Sequence, residues 1–154
     1  MKIENIEIGN LLLAPMAGVS DVGFRTVCKM AGADLTCTEM INATALLHNS
    51  DKTKDLLITE EIETPKMVQI FGHNENDMAK VCQSPFLDKF DIIDINFGCP
   101  APKIVKNGDG SALLKNLKQV EKIVSSCVKA TPKPITCKFR IGYAEGENIA
   151  LEMA

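Results

Sequence analysis

Asp94-Ile95-Asn96-Phe97-Gly98-Cys99-Pro100 is the stretch of this 154-residue chain whose reading decides the fold. It closes Phe90-Asp91-Ile92-Ile93-Asp94-Ile95, a short run rich in β-branched residues that reads as a buried strand. Gly98 lets the backbone turn or pass close to a ligand, and Pro100 stops the strand from continuing as a central ladder member. Cys99 is thereby presented at the carboxyl end of a strand, where α/β folds put their chemistry. Taken alone, a free cysteine is most often a small buried hydrophobe; the motifs around this one reverse that reading.

Outward from this stretch the same unit repeats. On the amino side, Lys66-Met67-Val68-Gln69-Ile70-Phe71 is a strand ended by Gly72, and a helix follows with Met78, Val81 and Cys82 inward. Before it, Leu35 to Met40 makes a strand, followed by helical pieces between Ala43 and Ile58 that break near Asn49-Ser50. Leu11-Leu12-Leu13-Ala14 is the first strand of the series, stopped by Pro15-Met16-Ala17-Gly18. Ser20 reads as the N-cap of a helix whose apolar positions are Phe24, Val27, Cys28 and Ala31, with Gly32 as the stop. Ile3, Ile6 and Ile8 suggest a short hairpin ahead of it all. On the carboxyl side, a polar loop from Lys103 to Gly110 leads to the longest helix, with Leu113, Leu117, Val120, Val124, Cys127 and Val128 on one face. Pro134-Ile135-Thr136-Cys137-Lys138-Phe139-Arg140 is a fifth strand, and another helix begins near Asn148.

Strand alternating with helix, each helix long enough for a crossover, means parallel strands in an α/β fold. Pro15-Met16-Ala17, Glu39, Gln69, Asn96 to Cys99, and Lys138 with Arg140 all lie at or just past strand ends. Polar groups gathered on one rim are the pattern of a (β/α)8 barrel mouth. A closed barrel of this type runs to about 250 residues, so the expectation for residues 1–154 is the first five strands of a truncated TIM barrel, part of a larger enzyme.

Composition sets bounds on function. Net charge is −3 and the sequence pI about 5.4, which excludes wholesale electrostatic adhesion to nucleic acid but leaves room for a local basic patch. The six cysteines form no CxxC pair and no metal-ligand spacing, so reduced thiols and no metal site are expected. Neither a signal peptide nor a membrane-length apolar run is present, which reads as a cytoplasmic protein.

Each motif has a plain and a functional reading. The Ala14–Asp21 turn has small residues that let a flat ligand approach the backbone, or it is an ordinary βα turn. Gln69 is suited to hydrogen-bond a carbonyl or imide edge, or it is a strand-end amide satisfied by backbone. Lys138, in a strand between Cys137 and Phe139, is costly to bury without an anion, and a lysine at a barrel mouth stabilises negative charge on a cofactor. Arg140 either pairs with a phosphate or caps the sheet rim. Gly108-Asp109-Gly110-Ser111 either holds an anion at the helix N-terminus it precedes or, the better reading of a lone GxGS, is an ordinary loop; His48 and His73 read as structural.

Together these motifs resemble the tRNA-dihydrouridine synthase family, most of all its bacterial members. The resemblance is carried by Ala14-Pro15-Met16-Ala17-Gly18-Val19-Ser20-Asp21 with Phe24-Arg25, by Gln69-Ile70-Phe71-Gly72, and by Asp94 to Pro100 with Lys103. Gly108 to Leu114 and Pro134 to Arg140 complete it, in the family's order over the whole chain. It implies an oxidoreductase that reduces the C5=C6 bond of particular tRNA uridines, with FMN as cofactor and NADPH as reductant. It also implies that Pro15, Met16 and Ala17 line the flavin, that Gln69 and Lys138 bind it, and that Cys99 is the catalytic acid. Hydride adds at C6 of the uracil and a proton must reach C5; a thiol of ordinary pKa, about 8.5, is mostly protonated at neutral pH and suits that role. Phe97 and Asp109 depart from the family's pattern, as do Cys137 and Phe139. Its later strands, a histidine near the flavin, the phosphate loops and a C-terminal helical tRNA-binding domain are absent from these residues. A flavoenzyme acting on a free pyrimidine, or a barrel fragment without catalysis, are the rival readings. The open sheet edges predict self-association, weak flavin binding and no activity on tRNA for these residues alone.

Overall fold

A computed structural model describes residues 1–154. The first two strands, β1 (Lys2–Ile3) and β2 (Ile6–Glu7), form the antiparallel hairpin that the isoleucine spacing suggested. Five further strands follow: β3 (Leu12–Leu13), β4 (Leu35–Asn42), β5 (Lys66–Phe71), β6 (Ile92–Phe97) and β7 (Ile135–Phe139). They lie in one sheet in the order β3-β4-β5-β6-β7, and every pairing is parallel. Doubly wound sheets reverse direction at a switch point; a strictly sequential parallel order is that of a barrel. The sheet is also curled, because Leu12 and Leu13 at one edge and Thr136 and Lys138 at the other line one cavity of about 340 Å³. The fold is five strands of an α/β barrel with their helices.

Side-chain alternation decides what each face of the sheet does. Val68, Ile70, Ile93, Ile95 and Phe97 point outward and are wholly buried beneath the helices. Burying each such side chain stabilises the fold by about 1.5–3 kcal/mol. The intervening residues of β6 and β7 point into the concave face, and there Asp94, Asn96, Thr136 and Lys138 are polar. The run Ile92–Phe97, buried along its whole length, therefore has a polar inner face carried by two residues, Asp94 and Asn96. At the amino ends of the strands, Ile8, Leu35 and Ile92 cluster with Ile3, Ile6 and Met67, so the hairpin plugs that end. The carboxyl ends stay open for chemistry.

The helices largely follow the apolar spacing, with differences that have physical causes. In α4 (Glu75–Cys82) Met78, Val81 and Cys82 are buried, and Asn74 caps it. The segment after β4 is two short helices, α2 (Ala43–Leu47) and α3 (Asp51–Asp55), and Asn49 between them sits at φ 57. Lys103 to Gly110 is not simply a loop, since Pro102 starts α5 (Pro102–Lys106). Leu113 and Leu114 belong to a separate 3₁₀ turn, Gly110–Lys115, which delivers both to the core. Only then does Asn116 cap α6 (Leu117–Ala130), whose buried stripe is Val120, Ile123 and Cys127 while Val128 is exposed. A short α7 (Ala150–Met153) closes the chain.

The first helix departs most. In α1 (Val22–Met30) the cap is Asp21, whose carboxylate accepts from Phe24 N at 2.8 Å, and not Ser20. Its one buried residue is Arg25, while Phe24, Val27 and Met30 are exposed. The cause is an ion pair: Arg25 Nε donates to Glu63 Oε2 at 2.6 Å, with both side chains almost fully buried. Arg25 also donates to the carbonyls of Ser20 and Ile58, and Glu63 accepts from Thr36 and Glu60. A charged pair with every hydrogen bond met can occupy a place that apolar residues were expected to fill. No helix is long and apolar enough to cross a membrane.

Candidate active site

The carboxyl ends of all five strands meet around a cavity of about 200 Å³. Pro15 and Ala17 reach it from the turn after β3, Met40 from β4 and Gln69 from β5. Asn96 and Cys99 come from the end of β6, Lys138 from β7 and Arg140 from just beyond it. Of the residues singled out in the sequence, Pro15, Ala17, Gln69, Cys99 and Lys138 are thus brought together. Met16 belongs to the same turn but lies outside the cavity lining, exposed at the surface.

A chain of side-chain hydrogen bonds organises the floor of this cavity. Gln69 Nε2 donates to Asp94 Oδ2 at 2.6 Å, and Thr136 Oγ1 donates to Asp94 Oδ1 at 2.6 Å. Asn96 Nδ2 donates to Gln69 Oε1 at 2.9 Å. Asn96 Oδ1 in turn accepts from Gly98 N at 3.1 Å and from Cys99 N at 2.9 Å. A carboxylate only accepts, so Asp94 dictates which way round the Gln69 amide sits, and Gln69 then dictates Asn96. Burial pushes the Asp94 carboxyl above its ordinary value, against the pull of Gln69, Thr136 and the Lys138 charge. The signal in the sequence was an aspartate inside Ile92-Ile93-Asp94-Ile95, and the motif reading passed over it.

The inventory of what remains free defines the ligand chemistry. Both lone pairs of Asn96 Oδ1 are used, whereas Gln69 and Asn96 each keep one N–H to spare. Lys138 is not buried, contrary to the expectation from its strand neighbours; β7 is an edge strand and the ammonium stands exposed on the open concave face, in no ion pair. Arg140 Nε donates to the Gly98 carbonyl at 2.6 Å, so it does cap the rim, holding the turn that carries Cys99. The two charged residues of the rim, Lys138 and Arg140, are both positive, while the Asp94 carboxylate lies beneath Gln69 and lines the adjoining cavity of about 340 Å³ together with Lys138. The wall offers donors and positive charge to a ligand edge rich in carbonyl or anionic oxygens.

The remaining turns are held from behind. Ser20 Oγ accepts from Met16 N at 2.9 Å and donates to Met16 O at 3.1 Å, which shapes Pro15-Met16-Ala17. Glu39 Oε2 accepts from Gly18 N at 2.6 Å and ties that turn to β4. Cys99 itself is half-buried. All six cysteines are free; burial pushes the Cys37 thiol well up and the Cys137 thiol up to about 12. No three His, Cys, Asp or Glu side chains are grouped so as to hold a metal ion. His48 is exposed and without a side-chain partner, but His73, read as structural from its spacing, pairs with the buried Asp109 at 2.8 Å.

A sequential parallel half-barrel whose rim cavity is lined by hydrogen-bond donors and a free thiol is the beginning of an α/β barrel with its carboxyl-end mouth open. The model of the dihydrouridine synthase family matches residues 12–154, and the chain belongs to that family. It is 39% identical to the tRNA-dihydrouridine synthase B of Pseudomonas putida over 145 residues, 94% of this chain and 43% of that protein. To the tRNA-dihydrouridine synthase B of Klebsiella pneumoniae it is 37% identical over 155 residues, all of this chain and 48% of that one. With the Pseudomonas aeruginosa protein of the same name the identity is 40% over 133 residues. The chain spans less than half the length of these relatives.

Proposed function

We propose that this chain is the acid-bearing half of a tRNA-dihydrouridine synthase, with Cys99 as the proton donor to C5 of a uracil base. The observation that carries the reading is the rim cavity, where Cys99 shares one wall with the spare N–H groups of Gln69 and Asn96 and with Lys138. The isoalloxazine ring of FMN and the uracil ring both carry a dione edge, and a wall with N–H donors and a cation fits such an edge. Pro15, Ala17, Gln69 and Lys138 would hold the flavin ring, with Met16 closing the turn beside them.

When bound, FMN supplies the hydride that goes to C6 of the uracil, with NADPH as the source of reducing power. The residues of this chain do the rest. Gln69 and Asn96, fixed by Asp94, present N–H groups to carbonyl oxygens. Lys138 stabilises negative charge on the flavin ring. Cys99 gives its proton to C5 as the double bond is lost, and the thiolate left behind is reprotonated from solvent. A uridine in folded tRNA is stacked, so the base is extruded into the cavity at a cost of a few kcal/mol.

The phosphate end of FMN is gripped in such barrels by loops after strands seven and eight, and the five-stranded sheet contains neither. β3 and β7 each pair on one side only, and apolar residues such as Leu11, Val27 and Met30 lie exposed. The 154-residue chain alone therefore binds FMN weakly and associates with itself through its open edges. Size-exclusion chromatography with an absorbance scan across the flavin bands tests this: colourless oligomers are expected, and a yellow monomer that reduces tRNA uridines would overturn it. Titration of FMN against wild type and Lys138→Met tests the ring contacts; equal affinity for both would contradict the role of Lys138.

A further inference from the structure

Asp109 and His73 are left over from the site as described, and their geometry connects them to Cys99. Asp109 is buried at 3% exposure, and the sole side-chain partner of its carboxylate is His73 Nδ1, at 2.8 Å. The turn that carries Asp109 lies directly on the backbone of Cys99. Ser111 N donates to the Cys99 carbonyl at 3.0 Å. Gly110, at φ +59, packs so closely that an added Cβ would stand 2.7 Å from the Cys99 carbonyl oxygen and 3.1 Å from Cys99 Cβ. Cys99 is thus gripped on both sides: its N–H by Asn96 and its C=O by Ser111.

The Asp109–His73 hydrogen bond is the side-chain tie between this turn and the end of β5, beside the backbone bonds from Asp109 N to Ile104 O and from Ala112 N to Asp109 O. His73 follows β5, the strand that carries Gln69, and its own carbonyl is pinned by Gln119 Nε2 of α6 at 2.9 Å. We propose that the Asp109–His73 pair is a latch that locks the Gly108–Ser111 turn over Cys99, making both positioning residues for the thiol. This rests on the reading of Cys99 as the acid. Without the imidazole, a buried carboxylate has no partner and is driven towards water. Moving it outward draws Gly110 and Ser111 with it and releases the Cys99 carbonyl. Without the carboxylate, the turn loses its only side-chain tie to the end of β5. A proton donor that must meet one carbon of a bound base gains from having its backbone fixed.

The test is the alkylation rate of Cys99 in this chain by iodoacetamide, resolved by peptide mass spectrometry so that each cysteine reports separately. His73→Ala and Asp109→Ala should each raise the Cys99 rate roughly three-fold or more, as a freed backbone gives the thiol wider access. The double variant should add little to either. His73→Gln, which keeps an N–H donor, should stay near wild type, an outcome that a purely steric role for the ring would not give. Buried Cys82 and Cys127 serve as the internal control for unfolding. If His73→Ala exposes them too, Asp109→Ala decides, because it removes the latch without leaving a buried charge. A Cys99 rate equal to wild type in Asp109→Ala overturns the latch. The readout does not depend on which residue protonates the base, so the latch and the assignment of the acid can fail separately.

Discussion

Glu63→Ala removes the carboxylate from an ion pair in which Arg25 and Glu63 are each only 2% exposed. It leaves the guanidinium with two carbonyl partners, Ser20 at 2.7 Å and Ile58 at 2.6 Å, but with no counter-charge. Breaking a buried pair on one side costs about 3–5 kcal/mol, most of it from the stranded charge. Thr36 and the Glu60 amide lose their acceptor as well, which puts the expected loss at the upper end of that range. Domains are stable by only about 5–15 kcal/mol, so the loss would move the urea midpoint far down. In Arg25→Met with Glu63→Leu both charges leave together, and stability should return to within about 1–2 kcal/mol of wild type. The consequence reaches the site, because Arg25 holds the Ser20 carbonyl and Ser20 holds Met16. Glu63→Ala unfolding within about 1 kcal/mol of wild type would refute the view that this pair anchors the Pro15–Ala17 turn.

Other outcomes are as specific. Gly110→Ala should cost more than Gly18→Ala in a denaturant titration: both have positive φ, worth about 1–2 kcal/mol, but only at Gly110 does the new Cβ meet backbone, at 2.7 Å. Equal losses would show that the turn is not pressed on Cys99. Asp94 has a folded pKa raised above 3.8 by burial, so upward from that value the folded state binds more protons than the unfolded chain and stability falls as pH rises. Asp94→Asn should remove this slope, and its stability relative to wild type should improve as pH climbs through the window; a constant difference would contradict it. Sedimentation velocity should show oligomers that shrink when Val27 and Met30, exposed on α1, are both changed to Lys, and an unchanged distribution would move the contact elsewhere.

The element order, the parallel sheet and the strand-end positions of Gln69, Cys99 and Lys138 were legible because β-branched runs and helical spacing are local signals. The hairpin, α4 and the break at Asn49 were legible for the same reason. Less legible was anything that depends on a partner far along the chain. The spacing of Phe24, Val27, Cys28 and Ala31 marked the apolar face of α1, but the residue that is buried is Arg25, whose counter-charge Glu63 lies 38 residues away. Asp94 was hidden in an apolar run because the polar face of β6 consists of only two residues. His73 and Asp109 are 36 positions apart and no spacing rule joins them. Lys138 was expected to be buried because its strand neighbours are apolar, and what decides its exposure is the edge position of β7.

The most direct test of the central claim is dihydrouridine formation by an enzyme in which these residues form part of a closed barrel. Unmodified tRNA is incubated with enzyme, FMN and NADPH, and dihydrouridine is counted by nucleoside mass spectrometry for wild type and Cys99→Ala. General acid catalysis contributes about 10²–10⁴-fold, so the variant should lose that much in rate while FMN stays bound and reducible by NADPH. A Cys99→Ala enzyme that forms dihydrouridine at the wild-type rate would contradict the assignment and place the proton donor elsewhere.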